Sequence, residues 1–130
     1  AARVLGCDLG MMGTRFIAPR EANPPEEQKQ MMRRSTAADI VYTPVFSGIR
    51  ANSLRGSIER CGLDPDRLEP GAGPGADLFD PGKSDAKAWK DIWSAGQGVG
   101  TIHDVPTVAE LVARLRREYA EAAALPSAFA

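Results

Sequence analysis

At 130 residues, with 43% hydrophobic and 25% charged side chains, the chain is sized for one domain with a modest core. Its 16 basic and 17 acidic residues leave a net charge of -1, which gives no electrostatic reason to expect nucleic acid or an anionic membrane as partner. Cys7 and Cys61 lie far apart without a CxxC or Cys/His cluster, so neither a disulfide scaffold nor a metal site is indicated. No basic leader precedes an apolar run, and no apolar run approaches the ~20 residues of a membrane span. A soluble, cytoplasmic protein is expected.

The chain opens without methionine on Ala1-Ala2-Arg3-Val4-Leu5-Gly6. This reads as the last turn of a helix ended by Gly6 in the left-handed position after the C-cap, and hence as part of a longer protein. Residues 7–17 follow as a buried parallel-type strand containing Asp8-Leu9-Gly10-Met11-Met12-Gly13-Thr14-Arg15-Phe16. A glycine with a hydroxyl directly after it leaves backbone amides uncovered beside a further donor. That suits a bend in a strand or a cradle for phosphate, and the residues alone leave both open.

Asn23-Pro24-Pro25-Glu26 reads as a helix start, with Asn23 as N-cap and a helix to about Arg34. Glu26 and Glu27 at its positive end and Arg33 and Arg34 at its negative end complement the macrodipole. Met31 and Met32 are expected in the core. Residues 40–46 make an edge strand or an extended arm because of Pro44, and Ser47 to Asn52 make a turn whose Arg50 is expected to be solvated or capping. A short helix from Leu54 to Cys61 closes at Gly62. The next 23 residues, 64–86, hold four prolines and four glycines. They do not follow the strand, GxGxxG, helix order of a dinucleotide site and read as a surface loop.

Trp89 and Trp93 are expected on one face of a helical turn, leading into Ser94-Ala95-Gly96-Gln97-Gly98-Val99-Gly100. The three alternating glycines allow close approach of another chain segment or of a cofactor. Gln97 is the one side chain in the run that both donates and accepts. His103 has no triad or metal spacing and reads as a surface residue, with Asp104 as a helix cap. The closing helix starts near Thr107 with Glu110 at capping-box distance and places Val108, Leu111, Val112, Leu115 and Tyr119 on one stripe.

Gly10-Met11-Met12-Gly13-Thr14-Arg15-Phe16 with the later Glu21-Ala22, the segment Val45-Phe46-Ser47-Gly48-Ile49-Arg50-Ala51-Asn52, and the run Trp93 to Gly100 together resemble the C-terminal portion of nitronate monooxygenases. The resemblance implies an α/β fold: the last strand of a TIM-like (β/α)8 barrel plus a mostly helical C-terminal subdomain. It implies FMN as cofactor, with Met11, Met12, Gly13 and Thr14 as its phosphate loop and Gln97 as a further contact. The implied reaction oxidises an alkyl nitronate with O2 to a carbonyl compound and nitrite.

The family's catalytic base is a histidine on an earlier strand, so no catalytic residue is expected here and the N-terminal barrel portion would be missing. On this reading residues 1–20 carry the barrel strand and phosphate loop, and 21–63 the first part of the subdomain. Residues 64–86 form the loop, 87–125 the glycine run and closing helix, and 126–130 the tail. A flavin-dependent enoyl-ACP reductase and a non-catalytic helical interaction module are the alternatives.

Overall fold

The computed structural model describes residues 2, 5–68 and 88–124. Four helices and one two-stranded sheet order these segments: α1 (Glu26–Arg34), β1 (Ile40–Thr43), β2 (Ala51–Leu54), α2 (Arg55–Arg60), α3 (Ala88–Asp91) and α4 (Val108–Ala124). Short 3-10 turns at Thr14–Ile17, Ala37–Asp39 and Gln97–Thr101 connect them.

The strand expected over residues 7–17 is not there. Residues 7–13 have no regular structure and Thr14–Ile17 is a 3-10 turn. Leu9 is 90% and Met11 99% exposed. A parallel-type strand needs hydrogen-bonded neighbours on its edges, and the described residues offer none: the sheet consists of β1 and β2 alone. Upstream, Gly6 adopts φ +85° and the Cys7 amide donates to the Ala2 carbonyl at 3.0 Å, a turn closed through a left-handed glycine.

α1 begins after Pro25 rather than at the expected Asn23 cap. Pro25 fixes the extended entry and lacks the N–H that a first turn leaves unpaired anyway. Met32 is fully buried and Met31 packs against the same cluster. The Met31 thioether lies where a Cβ on Gly56 would stand at 3.0 Å, so the missing side chain of Gly56 lets α1 rest on α2.

β1 stops at Thr43 because Pro44 has no amide to give the ladder. The chain reverses through Pro44–Arg50, with Gly48 at φ +74° and its amide on the Pro44 carbonyl at 2.8 Å. It then returns as β2, with Ile40 opposite Leu54 and Tyr42 opposite Asn52. The expected turn therefore covers only the first part of Ser47–Asn52.

α2 closes as the sequence indicates. Gly62 has φ +76°, its amide reaches the Glu59 carbonyl at 2.9 Å, and the Leu63 amide reaches that of Ile58 at 3.3 Å.

Two apolar clusters form the interior. Ala18, Met32, Leu54, Trp93, Ala95, Val99 and Ile102 make one, and Phe46, Ile58, Leu63 and Ile92 the other. Ser57 joins them: its buried hydroxyl donates to the Leu54 carbonyl at 2.7 Å and accepts from the Trp93 amide at 3.0 Å. Trp93 lies beyond α3, which ends at Asp91, so the expected helical spacing from Trp89 does not extend to it. Its ring is covered by the Arg60 guanidinium, 4.0 Å from the centroid.

α4 opens on the expected capping box. The Glu110 carboxylate accepts from the Thr107 amide at 2.7 Å, while the Thr107 hydroxyl accepts from the Glu110 amide at 3.2 Å. On its stripe Leu111 is buried, whereas Val108 and Tyr119 are exposed, so the helix docks through its first turns. Among the described residues no helix is long and apolar enough to cross a membrane. The 64–86 loop and the tail after Leu125 lie mostly or wholly outside the described residues.

Candidate functional site

Thr14 and Gln97 belong to stretches more than eighty residues apart, and the fold brings those stretches together. The Gly96 amide donates to the Thr14 hydroxyl at 2.9 Å. Gly96 is a glycine for a local reason, since a Cβ there would stand 3.3 Å from the same hydroxyl oxygen. Gly100 approaches the backbone of Thr36 and Ala37, with Ala37 N at 3.5 Å from a Cβ position. Gly96 thus serves a close approach within the chain, whereas a Cβ at Gly100 would make only ordinary contacts. Gly98 meets nothing within 4 Å and opens outward with exposed Gln97.

The 3-10 turn carrying Thr14 is anchored from behind. Arg15, with its side chain 14% exposed, donates to the Asp104 carboxylate at 2.7 Å, and Arg114 of α4 grips the same carboxylate. The Arg114 hydrogen bonds, then those of Arg15, hold the Asp104 carboxyl below the usual carboxylate range against the opposing effect of burial. Asp104 is therefore an ion-pair hub and not the expected helix cap. Thr107 fills that position instead.

Farther along, the Arg20 amide donates to the Pro106 carbonyl at 3.0 Å, and Glu21 accepts from the Val108 amide at 3.0 Å. Lys29, buried in α1, donates to the carbonyls of Arg20 and Ala22 at 3.1 and 2.9 Å. Together these bonds tie residues 15–22 to the start of α4 and to α1.

Of the expected cofactor-binding residues, Gly13 and Thr14 form one surface corner with the turn that begins at Gln97, joined to it through the Gly96 amide. Met11 and Met12 stand away from the protein, 99% and 55% exposed. The Gly13 Cβ position is open. Its amide and that of Thr14 precede the first hydrogen bond of the turn, Phe16 N–H to Gly13 carbonyl at 3.0 Å, and among the described residues they have no acceptor. The Thr14 hydroxyl accepts from Gly96 and keeps its own proton to donate. These donors fit the oxygens of a phosphate. The neighbouring cation does not join them, because Arg15 is committed to Asp104.

Asn52 of β2 completes the corner: its amide nitrogen donates to Gln97 Oε1 at 3.4 Å. It lies within the Val45–Asn52 segment, where residue type alone did not mark it. Arg50 is exposed and stacks over Tyr42, 5.8 Å from the ring centroid. His103 is exposed, as expected of a surface residue. No group of three potential metal ligands occurs among the described residues.

The chain is 34% identical over 126 residues to the nitronate monooxygenase of Paraburkholderia phytofirmans, a match covering 91% of this chain and 33% of the relative. The chain is therefore related to a nitronate monooxygenase. It spans about one third of that relative's length.

The fold is also that of part of a solved structure, the M276A mutant of FabK from Thermotoga maritima. The TM-score is 0.63 at 22% identity, over 92% of this chain and 37% of the other. At that identity the likeness speaks to fold alone. No family model matches the chain.

Proposed function

We propose that the chain supplies the FMN phosphate anchor of a nitronate monooxygenase acting in the cytoplasm, one that oxidises alkyl nitronates with O2 to a carbonyl compound and nitrite. The observation that carries this reading is the Thr14–Gly96 hydrogen bond. It joins at one corner two of the three stretches that carry the resemblance, and the named relative supports the same chemistry.

Gly13 and Thr14 would hold the phosphate through backbone amides and the Thr14 hydroxyl, with Gln97 at the edge. Exposed Met11 and Met12 would contribute backbone contacts only. The flavin, when bound, supplies the electron-accepting chemistry, and the protein supplies binding and orientation. Contacts to the flavin ring, the substrate and the catalytic base would come from residues outside these 130.

On this reading the chain alone binds FMN weakly and does not turn over. In a titration followed by amide resonances, FMN should shift Gly13 and Thr14 while riboflavin, which lacks the phosphate, should not. Equal responses to both would sink the phosphate assignment. A yellow protein with micromolar or better FMN affinity would refute the weak-binding half. Assaying the protein that carries this chain with a nitronate and O2, and separately with an enoyl thioester and NAD(P)H, separates the proposed activity from that of an enoyl-ACP reductase.

A further inference from the structure

Asn52 is the residue at the corner whose role neither the resemblance nor the comparisons assign. It sits in β2 directly opposite Tyr42, so its backbone is fixed by the ladder and its half-buried side chain starts from a rigid base. The amide nitrogen donates to Gln97 Oε1 at 3.4 Å across 45 residues of sequence.

A carboxamide has two faces of opposite polarity, one accepting and one donating. With its oxygen turned to Asn52, Gln97 has its NH2 group left to donate to a ligand. The same sorting occurs one residue earlier. There the Gly96 amide occupies an acceptor site of the Thr14 hydroxyl and leaves the hydroxyl proton outward.

From this we infer that Asn52 is a positioning residue: by holding the oxygen of Gln97 it leaves the Gln97 NH2 to join the donors of the corner, and so favours a ligand oxyanion over a ligand donor. The inference rests on the phosphate reading above and adds to it the sense of the Gln97 amide. It also explains how the corner favours an anion without a free cation, since Arg15 is paired with Asp104. Hydrogen bonds to a charged acceptor are the stronger kind, and donors held in place lose little freedom on binding.

The test uses the 130-residue chain, inorganic phosphate against chloride at matched ionic strength, and the backbone and side-chain amide resonances. The expected result is a saturable shift of Gly13, Thr14 and the Gln97 side-chain NH2 together. Asn52→Asp can only accept, so it should draw the Gln97 NH2 to itself. The Gln97 response should then vanish and the phosphate affinity read at Gly13 and Thr14 should fall about two- to tenfold.

Gln97→Glu keeps the acceptor for Asn52 but places a carboxylate oxygen outward, and should weaken phosphate at least as much. If Gly13 and Thr14 respond while the Gln97 NH2 does not, or if Asn52→Asp leaves the Gln97 response intact, the role of Asn52 is overturned and the phosphate corner stands. If no resonance moves, the phosphate corner falls as well.

Discussion

Thr14 and Gly96 meet through a single 2.9 Å hydrogen bond that closes an 82-residue separation. The bond has a structural and a chemical side, and a conservative pair of variants separates them. Thr14→Val keeps the shape and removes the oxygen, leaving the Gly96 amide without its acceptor at a cost of about 1 kcal/mol. Thr14→Ser keeps the oxygen and should behave as wild type. Urea unfolding reads the stability, and hydrogen exchange at Gly96 reads the bond. Unchanged exchange at Gly96 in Thr14→Val would show that the bond does not form in solution.

The glycines of the run are not equivalent, which makes a series of alanines informative. Gly96→Ala sets a methyl 3.3 Å from the Thr14 hydroxyl oxygen. The hydroxyl must give way while holding its bond, at a cost of about 1 kcal/mol. Gly98→Ala meets nothing within 4 Å and should fall within about 0.5 kcal/mol of wild type. Thermal melting of the two should rank them in that order. A Gly98→Ala variant less stable than Gly96→Ala would mean the run is arranged differently.

What the sequence made legible was local. The Thr107–Glu110 capping box, the left-handed Gly6 and Gly62, and the core place of Met32 all follow from residues within one turn of each other. β2 was not legible. Ala51-Asn52-Ser53-Leu54 has no β-branched residue, and it is extended because Ile40–Thr43 pairs with it. The apolar run after Cys7 erred in the opposite direction, since strand-like composition gives no strand without a partner.

The site divides in the same way. Gly13, Thr14 and Gln97 could be marked from glycine spacing and resemblance. Asn52, Arg15 and Asp104 matter through contacts across 45 and 89 residues that no local pattern announces.

Asp104 gives the molecule a defined acid sensitivity. Its carboxyl is held below the usual range by Arg114 and then Arg15, so its folded-state pKa lies below the unfolded one. The stabilisation is therefore complete above the unfolded value, about pH 4, and is lost as pH falls through the folded value. With the Asp104 side chain 41% exposed, solvent screening limits its worth to about 1 kcal/mol. Asp104→Asn should lose that amount at neutral pH and show a flatter decline below pH 4. An acid limb identical to wild type would assign the acid sensitivity to other carboxylates, such as Asp39, whose carboxyl is lowered first by the Thr36 amide.

Ser57 is where a small change should do the most damage. It is fully buried, and its one hydroxyl serves both the Leu54 carbonyl and the Trp93 amide. Ser57→Ala creates almost no cavity, so its cost is that of a buried N–H left without a partner, about 2 kcal/mol. The effect should reach beyond stability. Trp93 holds the entry to the glycine run, with its carbonyl on the Leu54 amide at 2.8 Å and its indole N–H on the Lys90 carbonyl at 3.1 Å.

Loosening Trp93 should therefore shift its indole resonance and raise exchange at Leu54, whereas Ser57→Thr, if the extra methyl is accommodated, should restore both. A Ser57→Ala variant with wild-type stability and an unmoved Trp93 indole would show that the two apolar clusters hold Trp93 in place without the hydroxyl between them.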